Sequence, residues 1–338
     1  MKKLFLSLVA LAAAAMSYAQ NTLVATLSHG ENITMYYGTY ALQQAHTAAQ
    51  SGDVINLSGG AFQAVNITKA LTLRGTGIDD ASPTYIIGDY TINVPSTDAN
   101  RLSMEGIRNT GTITMKGTFN SPYFVKSQFY NFSYDANANI KNAMFANCRI
   151  ASGYYPGGTS TVQFVNSYVG EFNNNGQSNT AAAFINCVIL PYGRGWDPEY
   201  IQNSQLVSCI IYQTYNNSNN LSPRLPSTTI ATNCVSIGFS NLFGAQPANT
   251  GNKSVKYNEW SKVFKSFTGT YSENQQFELS DDAKTTYLGN DGTEVGMHGG
   301  ILPYNTTPSY PQITKMNVAN KTTADGKLSV EIEVSAAE

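Results

Sequence analysis

Charge is what this chain has least of. Only 12% of its 338 residues are Asp, Glu, Lys or Arg, where a soluble domain usually carries roughly 25%. Coiled coils and helical bundles need charged faces, so the composition argues against both. There are 20 basic and 22 acidic residues, for a net charge of −2. That balance supplies neither the basic excess of a nucleic-acid binder nor the acidic excess of a disordered chain. Histidine, with three residues, and tryptophan, with two, are also scarce. No Cys-x-x-Cys pair occurs among the four cysteines, which excludes the common zinc spacings. In place of charge stand 34 asparagines and 28 glycines, beside a hydrophobic content of 42% that can build a core.

At the N-terminus, Lys2 and Lys3 precede an apolar run from Leu4 to Met16. Ser17-Tyr18-Ala19 then puts small residues at the −3 and −1 positions of a cut after Ala19. This pattern predicts a secretory signal peptide over residues 1–19. The run is too short for a bilayer span, and no later stretch reads as transmembrane. The chain is expected to be exported, to the periplasm, the medium or the cell surface.

The middle of the chain repeats. Phe145-Ala-Asn-Cys-Arg-Ile150, Phe164-Val-Asn-Ser-Tyr-Val169, Phe184-Ile-Asn-Cys-Val-Ile189, Leu206-Val-Ser-Cys-Ile-Ile211 and Ala231-Thr-Asn-Cys-Val-Ser236 align, after a poorer copy at Phe124–Phe129. Their third positions are separated by 21, 19, 20, 22 and 25 residues. The first residue faces inward and the second outward, by the alternation of a strand. Asparagine tolerates the left-handed conformation, so the third position makes a tight bend. A small residue then points inward again. Strand, one-residue corner and strand, every 20-odd residues, describe one coil of a β-solenoid. Gly, Asn, Ser and Tyr spacers exclude helical repeats.

Residues 39–50 read as a short amphipathic helix with Leu42, Ala45 and Ala49 on one face. Gly52-Asp-Val-Ile-Asn-Leu-Ser-Gly-Gly60 follows, then Ile67-Thr-Lys and Leu71-Thr-Leu-Arg-Gly-Thr-Gly77. This run resembles the first coil of right-handed parallel β-helices of the pectin-lyase-like superfamily, where a capping helix covers the end of the core. Leu288-Gly-Asn-Asp-Gly-Thr-Glu-Val-Gly-Met-His-Gly-Gly300 resembles the closing coil of secreted bacterial β-helix proteins. The resemblance implies an all-β, single-stranded right-handed parallel β-helix over residues 20–307, of about ten coils at 20–25 residues each. Pro303, Pro308 and Pro311 mark a linker, and residues 308–338 read as a strand pair with Leu328, Val330, Ile332 and Val334 alternating apolar.

Cys148, Cys187, Cys209 and Cys234 occupy the small inward position and read as a buried stack of thiols rather than disulfides. His29, His46 and His298 are far apart, so no metal or catalytic role is assigned to them. Many relatives by resemblance cleave acidic polysaccharides. Residues 101–250, however, contain only five acids (Glu105, Asp135, Glu171, Asp197 and Glu199), and they do not recur at coil spacing. The Asn-Thr-Asp, Gly-His-Gly and Arg-Ile-Lys patterns of the pectin hydrolases do not occur. No catalytic residue, metal ligand or cofactor is therefore assigned. Asp281/Asp282 and Asp291/Glu294 are left open as ion ligands.

One loop stands out. Tyr192, Arg194, Trp196, Asp197 and Tyr200 lie between two repeats, and Tyr154 and Tyr155 lie two loops earlier. Aromatic rings beside hydrogen-bonding groups suit stacking on sugars, so these seven residues are the candidate carbohydrate site. The expected function is a non-catalytic glycan-binding or surface scaffold protein, whose partner is a polysaccharide or cell-surface glycan. A polysaccharide lyase or glycoside hydrolase with an atypical site, and a self-associating adhesin, are the alternatives. Two further expectations concern packing. Asn147, Asn166, Asn186 and Asn233, interrupted by Ser208, should stack as a hydrogen-bonded ladder. The outward apolar residues Val165, Tyr168, Ile185, Val188, Val207 and Ile210 should be covered by the tail hairpin, by loop 190–200 or by a partner chain.

Overall fold

A computed structural model describes residues 23–154, 160–173, 180–190, 201–212, 225–239, 241–266, 275–318, 321–322, 325–327 and 329–335. The chain forms a parallel β-solenoid of about eight turns. Eight rather than ten follows because the coils end at the strand Lys253–Val255, and the next 50-odd residues do something else.

Two eleven-stranded sheets form its main walls. In the front sheet, nine parallel strands run from Val54–Leu57 to Ile230–Thr232, preceded by the antiparallel pair β1 (Val24–His29) and β2 (Asn32–Tyr37). The back sheet runs from Gly60–Gln63 to Lys253–Val255. Between them lies the core. Phe124, Phe145, Phe164 and Phe184 stack one per coil with ring centroids 4.7, 5.1 and 5.0 Å apart, close to the spacing of neighbouring strands. The inward phase read from the repeat is borne out: these four rings, Leu206 and Ala231 are wholly buried. So are the four cysteines, which are free thiols. Burial pushes the Cys148 thiol up to about 12. A helix over Ala41–Ala48 closes the N-terminal end with Ala41, Leu42 and Ala45 buried. The Lys69 ammonium donates to the carbonyls of His46, Thr47 and Ala49, satisfying that helix's orphaned C-terminal acceptors.

From the strand Tyr123–Val125 onward, each front strand turns into a back strand around a left-handed residue. Lys126, Asn147, Asn166, Asn186, Ser208 and Asn233 all have φ between 45° and 54°. The corner is thus as expected, but the ladder is not. The asparagine amides turn away from the coils to a C-terminal strap. Asn166 Nδ2 donates to the carbonyls of Met297 and Gly299, at 2.8 and 2.6 Å. Asn147 Nδ2 donates to Leu302 O, and Asn147 Oδ1 accepts from the Asn305 amide. Ser208 Oγ accepts from the Asn290 amide, and Asn233 Nδ2 donates to Asn290 Oδ1. Further along, Ser309 donates to Glu105, and Arg74 stacks on Tyr310. Residues 288–310 therefore run back along the corner, from the last coils to the first.

Glycine makes this approach possible. Gly296 has φ +84°, and a Cβ there would lie 2.8 Å from the Ile210 side chain; one on Gly300 would lie 2.9 Å from the Asn186 amide. The glycine-rich motif at 288–300, expected as a closing coil, is the part of the strap that meets the corner from Asn166 to Asn233. Substituting Asn166 with alanine should cost about 2 kcal/mol, because two buried carbonyls lose their donor and alanine resists the left-handed conformation. Thermal unfolding measures this loss, with Asn166→Gly expected to retain the backbone part.

The covered outer face also exists, with a different cover. Tyr168, Val188, Ile210 and Val235 point outward from the back sheet and are buried. They pack in a second core with Val263, Phe264, Phe277, Leu279, Ala283, Val295 and Met297. Tyr168 and Phe277 stack 5.4 Å apart. The cover is made by described residues between Val263 and Tyr304, not by the tail. Val165, Ile185 and Val207 belong to the front sheet instead, because the corner turns the chain between the two outward positions. In the tail, Gln312–Val318 pairs antiparallel with Val330–Ser335, and Val330, Ile332 and Val334 are exposed. Among the described residues, no helix is long and apolar enough to cross a membrane.

Candidate functional site

The outer face of the front sheet carries a groove of about 850 Å³ that crosses six successive coils. Its floor is one row of side chains. Met144, Gln163, Ala183 and Gln205 are directly paired neighbours along four parallel strands. Each immediately precedes an inward Phe or Leu of the repeat, so alternation turns it outward. Gln163 and Gln205 stand two strands apart, roughly 10 Å, with the small Ala183 between them. One wall is built by the bends and strand ends at Asn120, Ser121, Asn142, Thr161, Ala181 and Asn203. Ser121, Asn142 and Asn203 hold φ of 54°, 53° and 56° there.

Among the described lining residues, the charged groups are Asp98 and Arg101, at the N-terminal end of the groove. Asp98 is committed to its own turn: its carboxylate accepts from Ser51 Oγ and from the amides of Ala70 and Asn100. Desolvation raises its pKa, but these hydrogen bonds outweigh it and leave the carboxyl below the ordinary aspartate value. The Arg101 guanidinium is fixed by its Nε–H donating to Ser121 O at 2.9 Å and by lying 4.3 Å from the centre of the Tyr123 ring. The other described polar lining residues are neutral donors and acceptors, which match hydroxyl groups. General acid–base cleavage of a glycosidic bond needs two carboxyl groups flanking it. Among the described lining residues, Asp98 is the sole carboxylate.

No protein-family model, curated protein or solved structure matches the chain.

Of the residues singled out from the sequence, Tyr155, Tyr192, Arg194, Trp196, Asp197 and Tyr200 lie outside the described residues, as does residue 190–200 as a cover beyond Leu190. Tyr154 ends the back-sheet strand Arg149–Tyr154. The chain re-emerges from 155–159, 174–179 and 191–200 at the buried residues Ser160, Thr180 and Ile201. The residues that follow, Thr161, Ala181 and Asn203, line the groove. The groove residues are common amides and small side chains that no composition signal singles out. Their signal was present in the alignment: the residue just before each repeat is outward, and twice it is glutamine.

The other candidate groups resolve into structural roles. Asp281 and Asp282 occupy the first turn of a helix capped by Ser280, where acids complement the dipole. Asp291 accepts from the Thr293 amide and hydroxyl, which hold its carboxyl below the ordinary value. His29 pairs with Asp53 at 2.7 Å, His46 accepts from the Thr68 amide, and His298 meets the Gln276 carbonyl. Among the described residues, no three His, Cys, Asp or Glu side chains converge on a metal site.

Proposed function

We propose that this chain is an exported, non-catalytic glycan-binding protein built on a right-handed β-helix of the pectin-lyase-like kind. It holds an extended, largely uncharged polysaccharide along the front groove. The observation that carries this reading is the groove itself: six coils of amide, hydroxyl and small side chains, in which the one carboxylate among the described lining residues is already engaged. A sugar chain laid along the solenoid axis meets a repeating surface, because each coil advances by about 4.8 Å, comparable to one pyranose unit. Glutamine amides, which both donate and accept, bind hydroxyls without regard to pH. The signal peptide read from residues 1–19 supports an extracellular ligand.

Calorimetric titration with neutral oligosaccharides of increasing length tests this. Affinity should rise with length until about five or six units fill the six coils, given one unit per strand spacing. The double substitution Gln163→Ala/Gln205→Ala should weaken binding at least tenfold without moving the melting temperature. Incubation with polygalacturonate should yield no unsaturated or reducing products. Binding unaffected by the double substitution would remove the groove from the reading, and steady product release would replace it with an enzyme.

A further inference from the structure

The two ends of the solenoid are finished differently. At the C-terminal end the last rungs are closed by side-chain amides. Asn249 Oδ1 accepts from the Ala231 amide, Asn252 Oδ1 accepts from the Cys234 amide, and Asn252 Nδ2 donates to Ala231 O. At the N-terminal end the front sheet stops at β2, and among the described residues no strand pairs with its outer edge. Natural sheets protect such edges with lysine, proline, a bulge or a covering segment. Asn32-Ile-Thr-Met-Tyr-Tyr37 has no charge and no proline, and pairs with β1 in unbroken register. Its apolar side chains are uncovered: Ile33 is 65% exposed, Met35 55% and Tyr37 59%. Alternation places all three on one face, and the Tyr37 hydroxyl contacts the Met35 sulfur there.

We propose that β2 is a self-association edge, which pairs antiparallel with β2 of a second copy across a two-fold axis. The sequence is self-complementary in one register. With the axis at Met35, Ile33 of one copy faces Tyr37 of the other, Met35 faces Met35, and Tyr37 faces Ile33. Every pair on that face is apolar, and cross-strand apolar pairs are the unit of sheet stabilisation. Because β2 belongs to the front sheet, the pairing joins two eleven-stranded sheets into one continuous ladder. A two-fold contact of this kind closes and does not propagate into fibres. Six residues on each side make less than a standard interface, so the dimer is concentration-dependent.

Two segments of the same chain compete for this edge. The tail hairpin also shows an exposed apolar face, and residues 1–22 precede β1. A signal peptide cut after Ala19 leaves three residues before Leu23, too few to cover a six-residue strand.

Sedimentation of the purified protein over a range of concentrations should show a monomer–dimer equilibrium. Met35→Lys should shift it to monomer, because two lysines would face each other at the axis, and Met35→Glu should do the same. Mixing the two variants should restore a dimer, which a misfolded variant could not do. Met35→Cys should cross-link as a disulfide dimer, since facing residues in an antiparallel pair lie within disulfide reach. The four native cysteines are buried and remain bystanders. A protein monomeric at every concentration would overturn the proposal. So would a dimer that survives Met35→Lys, and one abolished by removing residues 312–338 would transfer the contact to the tail.

Discussion

Replacing Asp79 with alanine should destabilise the protein by about 3 kcal/mol, at the lower end of the usual cost of breaking a buried ion pair. Arg149 is the reason. Its guanidinium lies on the back sheet at 2% exposure, and both terminal nitrogens donate to the Asp79 carboxylate at 2.9 Å. The two residues are 70 positions apart, so the pair ties an early turn to a coil in the middle of the array. Asp79 also accepts from Thr306 Oγ1 in the strap, at 2.9 Å, and has the Arg108 guanidinium at 3.6 Å. Removing the carboxylate leaves Arg149 buried with no counter-charge. The Asp79 side chain is itself 31% exposed, so water can enter the gap, which is why the lower end of the range applies. Chemical unfolding followed by circular dichroism measures the loss. Adding Arg149→Met to the same chain should recover part of it, since an apolar side chain tolerates that site without a partner. A midpoint unchanged in Asp79→Ala would mean that the pair holds nothing together.

Ending the chain after Lys256 should give a protein that aggregates and binds a hydrophobic dye, whereas removing residues 312–338 should leave it soluble and dye-silent. The first truncation uncovers Tyr168, Val188, Ile210 and Val235 on the back sheet, at a cost of roughly 1.5–3 kcal/mol for each large apolar side chain returned to water. It also strips the donors and acceptors that Asn147, Asn166 and Ser208 use at the corner. The second truncation removes strands whose described apolar side chains are exposed already. Size-exclusion chromatography with dye fluorescence separates the two outcomes. Equal solubility of both truncated chains would show that the back face needs no cover.

The corner was legible because asparagine at a fixed place in a 20-odd-residue repeat has one inexpensive conformation, and the structure places Asn147, Asn166, Asn186 and Asn233 in it. The alternation around each corner gave the buried phenylalanines for the same local reason. The strap was not legible. Residues 288–310 have no period, and what fixes them are bonds to residues 131 and 155 positions away, as at Met297 and Leu302. Counting that stretch as coils inflated the array from about eight turns to ten. The need for a cover on the outer face was readable from Tyr168, Val188 and Ile210, the apolar residues two past each corner, whereas Val165, Ile185 and Val207, read as part of the same face, lie in the front sheet. Its identity was not, because Val263, Phe264 and Phe277 carry no pattern that names their partner. The groove lay one position upstream of the aligned segments, where outward residues vary freely and only their neighbours across strands give them meaning.

Solenoids ordinarily gain and lose repeats easily, since each repeat touches only its neighbours. Here the strap removes that freedom. Inserting one coil would lengthen the array by about 4.8 Å, and every strap residue past the insertion would arrive at the wrong corner. An extended chain covers roughly 3.3–3.6 Å per residue, so a change in copy number survives only with a matching change of one or two residues in the strap. Duplication by unequal crossing-over, which copies a coil in one event, cannot supply that second change in a strap whose contacts lie 57 to 204 residues downstream. The strap therefore acts as a checksum on the length of the array, and the lineage that carries it is expected to keep its coil number constant while its loops diverge.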